Sequence, residues 1–216
     1  MSQDLDAAYY GLTRAEILPL IEGPAERVLE VGCGTGATIA LLRRKGLLSW
    51  AAGIESNSGA AAAAQKVCDV LWQEDLAHFT PPLEPASLDL ILALDVLEHM
   101  VDPWDLVDRL VPLLKPGGAI IASIPNVRNY HVSVPLLMRG AFDYDPDGGL
   151  LDATHLRFFV RETALALMSR PGLRVDAVDV TGIKKGKLKW WLCALSRGAL
   201  TDLYALQFLI RSKRTD

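Results

Sequence analysis

The chain has 216 residues, 50% of them hydrophobic and 22% charged, with a formal net charge of −4. This is the composition of one folded domain, and it excludes a disordered, collagen-like or disulfide-scaffold chain. The acidic balance argues against binding nucleic acid, which calls for a basic surface, although residues 181–216 carry 8 Lys and Arg against 2 acids where residues 1–180 carry 14 against 24.

The opening MSQDLDAAYY places acids where a secretory signal carries positive charge, so the expected location is the cytoplasm. Residues 27–31 (RVLEV) read as a strand running into glycines, 38–45 as a helix ending on Arg43, Arg44 and Lys45, and 49–55 as a second strand. An alanine-rich helix over 58–67 and a brief third strand over 69–72 follow. Residues 87–94 (SLDLILAL) are nearly all apolar, as a strand covered on both faces requires. Pro103 opens the next helix, where its missing N–H costs nothing. Lys115-Pro116-Gly117-Gly118 is a turn signal before a strand over 119–124. Residues 126–158 then break the rhythm with aromatics, prolines and charges, the mark of an insertion that carries function. A helix over 161–170, a strand over 174–180 and a last strand over 203–211 complete the pattern. The three cysteines, Cys33, Cys68 and Cys193, are odd in number and lack metal-ligand spacing, which fits a reducing compartment and suggests no metal site. The alternation predicts an α/β fold, a mostly parallel sheet with helices on both faces, in a single domain over 1–216 with 126–158 as its substrate-side insertion.

VLEVGCGTG, residues 28–36, carries the chemistry. Glu30 ends a strand, and Gly32, Gly34 and Gly36 lead into a helix whose free N–H groups and partial positive charge await a polar ligand. Glu55, about twenty residues on and at the end of the second strand, suits the hydroxyls of an adenosine ribose. Gly32-x-Gly34-x-x-Ala37 also satisfies the loose dinucleotide fingerprint, so an NAD(P)-dependent oxidoreductase stays open here, as does a non-catalytic nucleotide-binding module.

Taken with Asp75 in WQEDL, DVLEH at 95–99 and LLKPGG before the fifth strand, these motifs resemble the class I S-adenosylmethionine-dependent methyltransferases. The resemblance implies a Rossmann-like sheet of seven strands with one antiparallel strand, S-adenosyl-L-methionine as cofactor and S-adenosyl-L-homocysteine as product. It implies that Gly32, Gly34 and Gly36 surround the methionine part, with Glu30 near its amino group and Glu55 on the ribose. Asp75 and Leu76 would flank the adenine, and Leu94 and Asp95 would contact the methionine beneath His99. AYYGLTRAEIL resembles the opening segment of small-molecule members, where Tyr10 and Arg14 close over the cofactor and Arg14 pairs with the methionine carboxylate.

Methyl transfer to a hydroxyl needs alignment and a general base. His155 in LDATHLRFF is the first candidate, with Asp152 or a neighbouring acid as its orienter and His99 or His131 as alternatives; a hydrogen-bonded clamp is the structural alternative for His155. LDATHLRFF after SIPN resembles bacterial enzymes of sugar and glycan biosynthesis, which implies O-methylation of a small molecule or glycan precursor. Residues 184–197 (KKGKLKWWLCALSR) read either as a helix packed on the sheet or as an interfacial helix in weak contact with a membrane. Residues 188–210 are interrupted by Lys189, Arg197 and Asp202, so they do not span one. The expected state is a monomer or a homodimer.

Overall fold

The structure, a computed structural model, describes residues 10–216; the acidic opening stretch, with Ala8 and Tyr9 of the AYYGLTRAEIL segment, lies outside the described residues. β1 (Ala25–Val31), β2 (Leu48–Ile54), β3 (Val70–Trp72), β4 (Leu88–Leu94) and β5 (Leu114–Pro125) run parallel, and β7 (Gln207–Arg214) lies antiparallel between β5 and β6 (Leu173–Val180). The order across the seven-stranded sheet is β3-β2-β1-β4-β5-β7-β6. Because the chain leaves β1 toward β2 and β3 and returns to β4 on the other side, a crevice opens where β1 and β4 end, the place where open α/β sheets bind ligands.

Alternate side chains of the strands feed two cores. Leu90, Leu92 and Leu94 of β4 join one with Ile39 and Leu42 of α1 (Ala37–Arg44), while Ile91 and Ala93 join the other with Leu106 and Leu110 of α3 (Pro103–Leu110) and Leu167 of α5 (Arg161–Leu167). The near-continuous apolar run of β4 is therefore explained by helices on both faces. α2 (Ser58–Ala64) starts where the Asn57 side chain accepts from the Ala60 amide at 3.0 Å, and α3 starts with Pro103 behind an Asp102 side chain that accepts from the Asp105 amide at 3.0 Å.

Three expectations move. The Lys115-Gly118 stretch does not end one element before another; it is an irregular step inside β5, where Leu88 pairs with Leu114 and Leu90 with Ala119, so the strand begins five residues before 119. The 126–158 insertion contains a helix, α4 (Tyr130–Arg139). The last strand begins at Gln207 and not at 203, because 201–204 form a short helix, α7 (Thr201–Tyr204), after α6 (Leu188–Leu195). The buried Asn126 side chain fixes that helix end, donating to the carbonyls of Asp202 and Ala205 at 2.6 and 2.9 Å.

Candidate active site

A cavity of about 610 Å³ lies at the C-terminal ends of β1, β2 and β4, a volume suited to a cofactor-sized ligand. Its floor is the glycine loop. Gly32 and Gly34 have φ of +63° and +53°, and a Cβ at either position would collide with the Val96 side chain or the Tyr10 carbonyl respectively. The segment that carries Tyr10 thus packs directly on the loop, and its carbonyl accepts from the Thr35 amide at 2.9 Å. Gly36, the N-cap of α1, serves the turn and is not part of the cavity wall.

Two carboxylates flank that loop. Glu55 is buried, and its two oxygens accept from the amides of Gly34 and Asn57, each at 2.8 Å, so it ties the end of β2 to the loop while one face meets the cavity. Glu30 is 3% exposed, and its Oε2 has no hydrogen-bond partner among the described residues. Burial, with the Cys68 thiol behind it, pushes its pKa up to about 8 despite hydrogen bonds from Ile39 and Thr38. A buried acid with an unsatisfied oxygen facing a cavity is suited to a cationic donor.

β4 contributes Leu94 and Asp95 to the wall. Asp95 has φ of +55°, a left-handed conformation that is costly for a non-glycine residue. It is held there by its partners: Ser123 donates at 2.8 Å and Gln207 at 2.6 Å to Oδ1, and Arg14 forms an ion pair with Oδ2. Arg14, expected on a ligand carboxylate, is thus engaged with Asp95 and with Glu16 at 3.3 Å. Asp75 and Leu76 form a further wall, in a turn secured from behind by Arg109, which donates to the carbonyls of Leu76 at 2.9 Å and Phe79 at 2.7 Å.

The insertion closes the remaining side with Pro146, Gly148, Asp152 and Thr154. Thr154 Oγ1 donates to Asp152 Oδ1 at 2.6 Å and lies 3.0 Å from His99 Nδ1. The Thr154 carbonyl, 3.2 Å from His99 Nδ1, can only accept, so Nδ1 is the nitrogen that carries the proton, and in the neutral ring the lone pair falls to Nε2. Burial alone would raise the Asp152 pKa, but the two hydrogen bonds from Thr154, with the His155 and His99 rings beyond them, outweigh it and hold the carboxyl below its ordinary value.

His155 stands behind this wall, 7% exposed, its ring edge-on to His99 with centroids 4.8 Å apart. Its Nε2 lies 4.0 Å from Glu98 Oε1, and among the described residues neither its Nδ1 nor either Glu98 carboxylate oxygen has a hydrogen-bond partner. Burial drives this pair toward neutrality: the His155 pKa is lowered by burial and then by His99, and the Glu98 pKa is raised by burial to about 8. The Glu98 carbonyl accepts from the amides of Leu156 and Arg157 at 2.8 and 3.0 Å, fastening the insertion to the DVLEH turn. His131 lies on α4 against Tyr130, with rings 4.0 Å apart, and is not part of the cavity wall.

Of the residues singled out from sequence, Tyr10, Arg14, Glu30, Gly32, Gly34 and Glu55 share one cavity with Asp75, Leu76, Leu94, Asp95, His99 and Asp152. Sequence reading missed Thr154, Ser123, Gln207 and Arg109, which carry no motif of their own. Only Thr154, inside DATH, stood close enough to a histidine in sequence to be suspected.

A family model described as a methyltransferase domain matches residues 7–178. The ubiquinone biosynthesis O-methyltransferase of Ralstonia nicotianae is 27% identical over 205 residues, 88% of this chain and 77% of its own length. A protein of the same name from Cupriavidus pinatubonensis is 26% identical over 168 residues, 71% of this chain and 66% of its own. The trans-aconitate 2-methyltransferase of Pseudomonas aeruginosa is 35% identical over 136 residues, 62% of this chain and 48% of its own. The chain therefore spans two thirds to three quarters of the first relatives and about half of the last. The plantazolicin methyltransferase BpumL, solved with S-adenosylhomocysteine, shares the fold with a TM-score of 0.61 at 17% identity, covering 100% of this chain and 84% of that one.

Proposed function

The chain belongs to the S-adenosylmethionine-dependent methyltransferases, and from that premise we propose that it methylates a hydroxyl oxygen on a small molecule or glycan precursor, in the cytoplasm. The family's cofactor is S-adenosyl-L-methionine, which when bound supplies a methyl group on an electrophilic sulfonium and leaves as S-adenosyl-L-homocysteine. The residues fit it: Glu30 offers an unsatisfied buried oxygen to an ammonium group, the glycine loop lets a ligand approach the backbone, and Glu55 and Asp75 offer acceptors for ribose hydroxyls and an exocyclic amine. This membership sets aside the nicotinamide reading of Gly32-x-Gly34-x-x-Ala37 and Glu55.

The observation that carries the oxygen acceptor is the chain Asp152, Thr154, His99. Asp152 orients the Thr154 hydroxyl, Thr154 fixes the protonated Nδ1 of His99, and the Nε2 lone pair is left to take a proton from an acceptor hydroxyl. His155 then acts as a clamp with Glu98, and the base is His99, the second choice from sequence. The remaining work is positioning, which holds the acceptor oxygen in line with the methyl group while Arg14 and Asp95 keep the wall in shape.

Labelled methyl transfer across nucleotide sugars, quinols and hydroxy acids tests the acceptor class; transfer to nitrogen or carbon acceptors alone would refute it. For the base, His99→Ala should lower kcat by about two to four decades with unchanged S-adenosylhomocysteine affinity, and His155→Ala should chiefly lower stability. Full turnover in the His99 variant would remove it from the chemistry.

A further inference from the structure

Seven of the 14 large hydrophobic side chains exposed among the described residues lie on α4 and α6, helices that the methyl-transfer site does not use. On α4, Val134, Leu137 and Met138 stand at i, i+3 and i+4; on α6, Leu188, Trp191 and Leu195 stand at i, i+3 and i+7. Each set makes one stripe on a helix face. Leu137 and Leu195 are 84% and 79% exposed, while Val132 and Cys193 on the same helices are buried. These outward stripes are therefore not side chains left over from the core.

The two helices are fastened together. Lys189 Nζ of α6 donates to the Tyr130 hydroxyl of α4 at 3.3 Å and sits 4.8 Å from the centre of its ring. Asn129, the N-cap of α4, donates from its side chain to the Ala205 carbonyl at 2.8 Å, beside the Asn126 bonds to the same segment. Both helices leave the sheet from the C-terminal ends of parallel strands, β5 and β6, so they flank the edge on which the methyl-transfer cavity opens.

The segments that bear the stripes are predominantly basic. Residues 126–140 and 184–204 hold seven cations, Arg128, Arg139, Lys184, Lys185, Lys187, Lys189 and Arg197, and one acid, Asp202. That acid is occupied by Arg161 at 2.7 Å and Arg128 at 3.6 Å.

We infer that α4 and α6 form a docking surface for an anionic lipid bilayer, their apolar stripes entering the acyl boundary and the flanking lysines meeting the headgroups. A second copy of the chain fits less well, because a two-fold contact through this patch would set its seven cations against themselves. Docked in this way, the cavity rim faces the membrane plane, from which an amphiphilic acceptor would enter.

The test is sedimentation of the full chain with vesicles of phosphatidylcholine alone or mixed with phosphatidylglycerol, at low and high salt. Binding should be about tenfold or more stronger on the anionic vesicles and should weaken with salt. Leu137→Glu with Trp191→Glu should abolish it while S-adenosylhomocysteine affinity, read by calorimetry, stays unchanged; both sites are exposed, so the fold is spared. Equal or absent binding on the two vesicle types would overturn the inference, as would undiminished binding by the variant. A concentration-dependent dimer in ultracentrifugation that the variant dissociates would overturn it in favour of a second copy. None of these readouts requires methyl transfer, so they stand or fall apart from the acceptor class.

Discussion

With the cofactor's ammonium group placed on Glu30 as proposed, this one residue couples cofactor binding to pH. Burial holds its carboxyl neutral up to about pH 8 in the free protein, yet an ammonium group placed against it favours the charged form. Binding below that pH must therefore release a proton, so affinity for S-adenosylhomocysteine should rise by up to about tenfold per pH unit toward pH 8 and level off above it. Calorimetry in buffers of different ionisation heat reads the proton directly; Glu30→Gln should abolish the release and flatten the profile. Glu98 makes a matching statement about stability. Its folded pKa is raised from 4.5 to about 8, so the native state holds the extra proton between those values and stability falls as pH rises through that window. His155, with its pKa lowered by burial, works in the opposite direction below its ordinary value. Urea midpoints for Glu98→Gln should consequently decline less between pH 5 and 8 than those of the native chain, and an identical decline would mean that Glu98 is already ionised.

Among the elements, α3 governs the cavity wall at Asp75 and Leu76 without lining it. Arg109 in its last turn holds the turn after β3 by two backbone carbonyls and is itself oriented by Asp105 at 2.7 Å. Arg109→Ala should weaken S-adenosylhomocysteine binding by about 1–3 kcal/mol through loss of charge-assisted hydrogen bonds that shape the wall, with Asp75 and the glycine loop intact; unchanged affinity would show that the turn holds itself. Such supports explain what a sequence can and cannot disclose. Glu30, Glu55, Asp75 and Asp95 were legible because each stands at or just beyond the C-terminal end of a strand, and such ends in a parallel sheet converge on one edge by topology. Arg109, Ser123 and Gln207 act on the same wall from elements distant in sequence, and nothing in their own segments marks the partner they meet. The same limit misplaced the final strand: LYALQFLIR has one continuous β-prone run, and the side chains of Asn126 and Asn129, nearly eighty residues earlier, hold the break between a helix end and a strand. His155 stood out from sequence through its place in LDATHLRFF, but the Thr154 contacts that single out His99 exist only once the insertion folds back.

Across the whole molecule the cavity draws on parts far apart: Tyr10 to Arg14 ahead of the sheet, the ends of β1, β2 and β4, the turn after β3, and residues 146–154 of the insertion. A ligand that touches all of them stabilises the chain as one cooperative unit, because it binds the folded state and not the unfolded one. At a concentration of about 100 Kd that linkage amounts to roughly 2.7 kcal/mol. For a chain of this size each kcal/mol moves the melting temperature by about 2–4 °C, so S-adenosylhomocysteine should raise it by roughly 5–11 °C, while NADH at equal concentration should leave it unmoved. The shift should appear as displacement of a single transition, since β7 inserts the C-terminal segment between β5 and β6 and denies that segment a core of its own. Calorimetry resolving a second transition that ignores the ligand would mean that the tail folds apart from the cofactor-binding body; an NADH shift matching that of S-adenosylhomocysteine would mean that the cavity recognises adenosine and little else.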